Sequence, residues 1–322
     1  MKAIRVHTFG GPEVLQYEDI AEPMPKAGEA VVKIEAAGVN YIDTYHRRGV
    51  YKISLPVTLG QEAAGTVAAV GSGVDGLKVG DRVAYSGVFG SYAELNAVPA
   101  ERLVSLPASV KTKLGAAIML QGMTAHYLAT STYPLHPGDT CLVHAGAGGV
   151  GLLLTQVAKM RGARVISTVS TDEKAALSRE AGADEVVLYA RQDFEAEVKR
   201  ITAGKGVQIV YDSVGLSTFL KSFNCLAPRG MLVLYGQSSG MVPPIDPQLL
   251  SQKGSLFLTR PTLAHYIARR EDLLQRSRDL FEWIAAGKLK VRMEFKFPLQ
   301  GAADAHKALE GRQTTGKVLL VP

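Results

Sequence analysis

Two hydrophobic rhythms divide the chain. Through residues 1–120, short apolar runs such as 30–36 and 65–70 alternate with turn-forming clusters at Gly10 and Gly11, 23–28, 71–73 and 80–81, the pattern of a β-rich layer. From about residue 123 to 262 the rhythm lengthens. Strands are expected at 140–145, 164–169, 185–188, 207–212 and 230–236, with helices between them at 151–161, 172–181, 194–202 and 216–225. Such alternation predicts a parallel, doubly wound sheet whose ligand lies outside the carboxyl ends of its strands. A helix follows at 273–286, and 287–298 and 315–321 return to strand-like patterns. The fold class is therefore α/β: a doubly wound domain, 123–262, inserted into a β-rich domain formed by 1–122 and 263–322, with a cleft between the two.

Composition narrows the picture without redirecting it. At 322 residues and 47% hydrophobic content, the chain has ample material for buried cores. No apolar run approaches the ~20 residues of a membrane span, and the start of the chain lacks the apolar core of a secretory signal. Cys141 and Cys225 are the only cysteines; a reducing, cytoplasmic setting is expected, with both thiols buried as small apolar groups. The net charge of +6, from 36 Lys and Arg against 30 Asp and Glu, leans toward anionic ligands. The densest basic stretch, 268–278, carries acids among its bases and reads as a solvated helix face.

The chemistry concentrates at 138–159, GDTCLVHAGAGGVGLLLTQVAK. Gly146, Gly148 and Gly151 satisfy G-x-G-x-x-G between an expected strand and an expected helix. In order, they are expected to form a tight turn, let backbone approach a pyrophosphate, and pack helix closely on strand. The first helical amides then face the anion. The bland alternative is a structural glycine turn. Where an NAD-binding fold places an acid to hold the ribose hydroxyls, the strand 164–169 is followed by Ser170, with Lys174 one helical turn beyond. A hydroxyl and a cation suit a ribose phosphate, so NADPH is expected over NADH. Asp172 and Glu173 must then point outward, and the alternative for Lys174 is an exposed helix charge.

These residues resemble the quinone oxidoreductase and zeta-crystallin family of the medium-chain dehydrogenase/reductase superfamily. The resemblance runs through 37–51 (AGVNYIDTYHRRGVY), 59–67 (LGQEAAGTV), 80–85 (GDRVAY), 121–128 (QGMTAHYL), 209–215 (IVYDSVG), 254–261 (GSLFLTRP) and 311–322 (GRQTTGKVLLVP), covering essentially the whole chain. It implies a Rossmann domain inserted into a GroES-like domain, NADPH as cofactor, and a homodimer. Strand 231–235, near the end of the nucleotide sheet, is the expected route for extending that sheet across a two-fold axis. By the same resemblance, Asn40 and Tyr45 lie near the nicotinamide and its ribose, with Thr124 beside the cofactor. Ala147, Gly148, Gly149 and Val150 hold the pyrophosphate, and Ser170, Lys174 and Tyr189 the ribose phosphate. Ser213, Gly236, Ser238 and Leu258 line the rest of the groove, and Arg312 reaches the cofactor. Without the resemblance, Tyr189 reads as a strand-end aromatic and Arg312 as a surface charge.

Zinc-dependent members of the superfamily use a Cys and a His where this chain has Asn40 and Gln61, and a run of four closely spaced cysteines is absent. No metal is expected, and His7, His126 and His144 read as polar fillers. Without a Lewis acid the easier reaction is reduction of an electrophilic acceptor, for which a flat quinone suits an apolar slot. Asn40, Tyr45, Tyr51 and Gln61 are the candidates for its polar edge, none of them assigned as an essential general acid. The alternatives are a zinc-free reductase of enone or alkenal double bonds and, in a different class, an RNA-binding protein of zeta-crystallin type, for which no dedicated motif is present.

Overall fold

The computed structural model describes residues Met1–Pro322, and the chain divides into two compact units, Met1–Met123 with Ile267–Pro322 and Thr124–Tyr266. In the first unit, β1 (Lys2–Val6) pairs antiparallel with β2 (Gln16–Asp19). The long strand β3 (Glu29–Val39) is buried along most of its length, with only Lys33 and Glu35, either side of Ile34, exposed. At Asn40 it turns into α1 (Tyr41–Arg47), where the Asp43 carboxylate accepts from the Asn40 amide, satisfying an otherwise orphaned donor. There follow β4 (Val57–Thr58), β5 (Glu62–Val70), β6 (Arg82–Ser86), β7 (Leu95–Pro99), β8 (Val104–Ser105) and the 16-residue helix α2 (Thr112–Tyr127). The pattern of turn residues over 1–120 gave no hint of α2; its run of small and apolar residues, AAIM at 116–119, is buried, so it lacks the polar stripe that marks a surface helix.

The second unit contains β9 (Thr140–Val143), α3 (Gly149–Met160), β10 (Arg164–Val169), α4 (Asp172–Glu180), β11 (Glu185–Leu188), α5 (Phe194–Ile201), β12 (Val207–Asp212), α6 (Phe219–Asn224), β13 (Leu226–Leu234), α7 (Gln248–Gln252), β14 (Phe257–Thr259) and α8 (Leu263–Tyr266). All of its strand pairs are parallel, in the order β11-β10-β9-β12-β13-β14. Counted from β9 this is 3-2-1-4-5-6, the order of dinucleotide-binding sheets, which reverses direction beside the first strand and opens a crevice there. Leu142, Ile166, Val187, Val210 and Leu232 form one face of the sheet core.

That order corrects one expectation. Residues 231–234 of that segment belong to β13, which is hydrogen-bonded on both sides, to β12 and β14. With its ladder groups already used, it has no edge to offer a second chain. The edge strand on that side of the sheet is β14, a strand of three residues with Phe257 exposed, and β11 forms the opposite edge.

The chain returns to the first unit with α9 (Arg270–Ala285), β15 (Phe295–Pro298), α10 (Ala302–Glu310) and β16 (Val318–Val321). β16 pairs antiparallel with β3, Val318 opposite Val39, so the C-terminal strand completes the sheet β15-β16-β3-β5-β6-β8.

Candidate functional site

In the second unit the cofactor candidates share one edge of the parallel sheet. Ala147, Gly148, Gly149 and Val150 follow β9, Ser170 follows β10, Tyr189 follows β11, Ser213 follows β12, and Gly236 and Ser238 follow β13; Leu258 lies within β14. β9 to β13 deliver their residues at their carboxyl ends, as parallel right-handed crossovers require. Thr124, in α2, is buried.

The three glycines divide their work differently from the expectation. The left-handed turn residue is Ala145, at φ 53°, not Gly146. Gly146 is glycine because a Cβ there would overlap the Ser167 hydroxyl of β10, and Gly151 because one would run into the Ala145 carbonyl and lie 2.8 Å from the Gly146 Cα. Both are therefore packing glycines. Gly148 meets only the Ala145 carbonyl, at 3.1 Å, and leaves open backbone at the start of α3. No side chain caps α3, in contrast to α4, capped by Thr171, and α5, capped by Asp193. An uncapped 12-residue helix with a glycine at its N-cap leaves its first amides to an external anion, which fits a dinucleotide pyrophosphate.

Beneath this edge lies a buried polar cluster absent from the sequence-based list. His144 hydrogen-bonds Thr168 Oγ1 at 2.9 Å and Ser222 Oγ at 3.1 Å. Burial pulls its imidazole below the usual value, so it sits there neutral. Asp212, the last residue of β12, accepts from the Val214 and Gly215 amides through Oδ1 and from Thr218 and Ser222 through Oδ2. It thereby shapes the loop that carries Ser213. Gly236 packs onto that loop: a Cβ would lie 2.9 Å from the Ser213 Cα. An acid ending a mostly apolar strand, VQIVYD, is the sequence signal for Asp212.

At the end of β10 the two troublesome acids are both engaged. Arg191 donates to Asp172 at 2.7 Å, and the Glu173 carboxyl is held below its usual range by a hydrogen bond with Thr171. Lys174, half-buried, extends from the first turn of α4, whose N-cap Thr171 accepts from its amide at 3.3 Å. Tyr189 is 39% exposed.

In the first unit, Asn40, Tyr45, Tyr51 and Gln61 belong to one connected group. Tyr45 and Tyr51 meet edge to face at 5.3 Å between centroids; His46 stacks edge-on against Tyr51 at 5.8 Å and Phe89 at 4.9 Å. Gln61 Nε2 donates to His46 Nδ1 at 3.0 Å, and burial pulls that imidazole down to about 4, leaving it neutral. Asn40, Tyr45 and Gln61 are nearly closed off, at 2%, 6% and 9% exposure. Asn40 is turned inward: Nδ2 donates to Glu62 Oε2 and to the Gly38 carbonyl, and Oδ1 accepts from Lys317 at 2.8 Å. With both amide hydrogens engaged, Asn40 has no donor left for an acceptor molecule. The ammonium already beside Asn40, and the lack of any group of three or more His, Cys, Asp or Glu placed to hold a metal, make this a poor donor set for zinc. Arg312 lies on the exposed surface of the same unit at φ 57°.

The chain matches the alcohol dehydrogenase GroES-like domain over residues 26–108 and the zinc-binding dehydrogenase family over 149–284. It is 46% identical to a quinone oxidoreductase of Pseudomonas aeruginosa, covering 100% of this chain and 99% of that one. A 2-haloacrylate reductase of Burkholderia is 42% identical, with 98% of each chain covered. The crystal structure of Escherichia coli quinone oxidoreductase complexed with NADPH superposes with a TM-score of 0.98 at 45% identity over 100% of both chains. A Rossmann-type parallel sheet inserted into a GroES-like unit, with full-length identity of this degree, settles the lineage: the chain belongs to the quinone oxidoreductase family of the medium-chain dehydrogenase/reductase superfamily.

Proposed function

We propose that the protein reduces quinones with NADPH and without a metal. The observation that carries the reading is the uncapped, glycine-lined start of α3 on the carboxyl edge of a 3-2-1-4-5-6 sheet, in a chain 45% identical to a quinone oxidoreductase solved with NADPH. The α3 amides bind the pyrophosphate, Ser170, Lys174 and Tyr189 bind the ribose phosphate, and Ser213, Gly236, Ser238 and Leu258 line the groove. Thr124 and Arg312 complete the cofactor contacts. The two domains are those that the hydrophobic pattern outlines.

NADPH supplies the two electrons when bound. The protein orients a flat acceptor against Tyr45 and Tyr51; any proton of the hydroquinone that the cofactor does not itself bring comes from water, since His46 is neutral and no acid is held at the Tyr45–Tyr51 edge. The setting is cytoplasmic and the assembly a homodimer formed along the β14 edge. Light scattering that returns a 34.4 kDa species would remove the dimer.

Steady-state oxidation of NADPH and of NADH, with a naphthoquinone or an activated alkene as acceptor, tests the whole reading. Rapid turnover with NADPH and the quinone is expected. Turnover with the alkene alone would move the activity to double-bond reduction, as in the Burkholderia relative's name.

A further inference from the structure

Among the fully buried ionisable side chains of the first unit are two that the reaction as described does not use. Lys317 and Glu62 are 1% and 0% exposed and form an ion pair with each other. Their meeting follows from strand register. β16 pairs with β3 so that Val318 faces Val39; one residue further along, Lys317 comes opposite Asn40. β5 pairs with β3 on its other side, Ala63 facing Ala37, which brings Glu62 opposite Gly38. Gly38 and Asn40 point to the same face of β3, being two residues apart. The space is built for the pair: a Cβ on Gly38 would lie 2.6 Å from both Lys317 Cε and the Ala116 carbonyl.

A buried ion pair is poor evidence for stability, because apolar residues of similar volume usually serve as well. What this pair does do is hold its neighbours. Glu62 Oε2 and Lys317 Nζ grip the two ends of the Asn40 amide, and Glu62 Oε1 accepts from the Leu120 amide of α2 at 2.7 Å. Asn40 begins α1, whose second turn carries Tyr45, and Tyr45 stacks on Tyr51. On the other flank, Glu62 is covalently next to Gln61, which holds His46.

We propose that the Lys317–Glu62 pair positions the acceptor edge, fixing the Asn40 amide, the start of α1 and the Gln61 backbone so that Tyr45 and Tyr51 keep their places. The two residues act through these neighbours and touch neither acceptor nor cofactor. The proposal rests on the reading of Tyr45 and Tyr51 as the acceptor edge.

The test uses Glu62→Gln, Lys317→Met and the double variant, in the full-length protein with NADPH and a naphthoquinone. Each single change leaves one buried polar group without its counter-charge and is expected to lower Tm; the double change is expected to recover Tm. If the pair positions the edge, the double variant keeps a quinone kcat lowered by about tenfold, since small misplacements of reacting groups are costly. The Kd for NADPH, read by fluorescence, stays within about twofold, because the pyrophosphate and ribose-phosphate residues lie in the other unit. A double variant that recovers both Tm and kcat would overturn the proposal. Should Lys317→Met fail to fold, the nearly isosteric Glu62→Gln carries the same comparison, and an unchanged kcat there would overturn it equally. The underlying reading has its own control: Tyr45→Phe with Tyr51→Phe leaving quinone turnover as it was would sink the acceptor edge itself, whatever the pair does.

Discussion

At the scale of single residues, the proposed cofactor contacts at Ser170 and Lys174 depend on how charge is arranged around Lys174. Asp172 and Glu173 would repel a ribose phosphate if they faced it. In the structure Asp172 is paired with Arg191, and Glu173 is tied to Thr171. Both members of the Asp172–Arg191 pair are more than 60% exposed, so the pair adds little to stability. Its effect is local: it keeps one carboxylate neutralised where a phosphate is expected. Lys174→Glu is expected to raise the Michaelis constant for NADPH by about tenfold or more while changing that for NADH little, a 1.4 kcal/mol effect or larger. Arg191→Ala is expected to act in the same direction more weakly, and Asp172→Asn added to it to restore the wild-type constant. Equal changes for the two cofactors would remove the argument for Ser170 and Lys174.

At the scale of elements, the glycine turn separates binding from packing. Gly148 has φ −74° and ψ 170°, which any residue adopts, and a single close neighbour. Gly151 faces the Ala145 carbonyl and Gly146 at sub-van-der-Waals distance from any added Cβ. Gly148→Ala should therefore leave Tm nearly unchanged while weakening NADPH binding, read by fluorescence titration. Gly151→Val should do the reverse in emphasis, destabilising the unit by about 1–3 kcal/mol through overpacking between α3 and the turn, read by urea unfolding. Similar losses of stability for both would mean that Gly148 is also a packing glycine. The sequence motif gives the three positions but not which of them packs tightly, because that depends on how near β10 comes to the turn.

At the scale of the whole molecule, the first unit's buried titratable groups set its pH response. Burial pushes the Asp43 carboxyl up to about 7, against hydrogen bonds from the Asn40 amide and Tyr92 and the nearby Lys317; its Oδ1 has no partner. Burial pulls His46 down to about 4 and, with Arg47 beside it, His306 down to about 3. Between pH 6.5 and 4 the unfolded chain takes up protons on both histidines that the folded chain refuses, so stability falls as pH falls. Asp43 works the other way: the folded chain holds its proton below about 7 while the unfolded chain does not. The balance among these three is one proton, about 1.4 kcal/mol per pH unit. Asp43→Asn removes the opposing term, so the fall in unfolding free energy over this window should become about twice as steep. Identical slopes for the two proteins in urea titrations at pH 4.5, 5.5 and 6.5 would show that Asp43 is not titrating as described.

What the sequence by itself determined is whatever depends on local order. The alternation of apolar strand and amphipathic helix from 140 to 234 placed β10, β11 and β12 at their observed bounds, since parallel strands buried on both faces read as continuous apolar runs. The glycine motif and Ser170 were legible because they follow such strands directly. Tertiary structure decided what depends on register between distant segments. It placed Lys317 against Asn40 and Glu62, separated by 277 and 255 residues, and turned Asn40 inward. It made β14 rather than 231–235 the sheet edge, and turned Asp172 toward Arg191. The physical reason is the same in each case: a ladder fixes which residues of remote strands face one another, and no periodicity within a single segment carries that pairing.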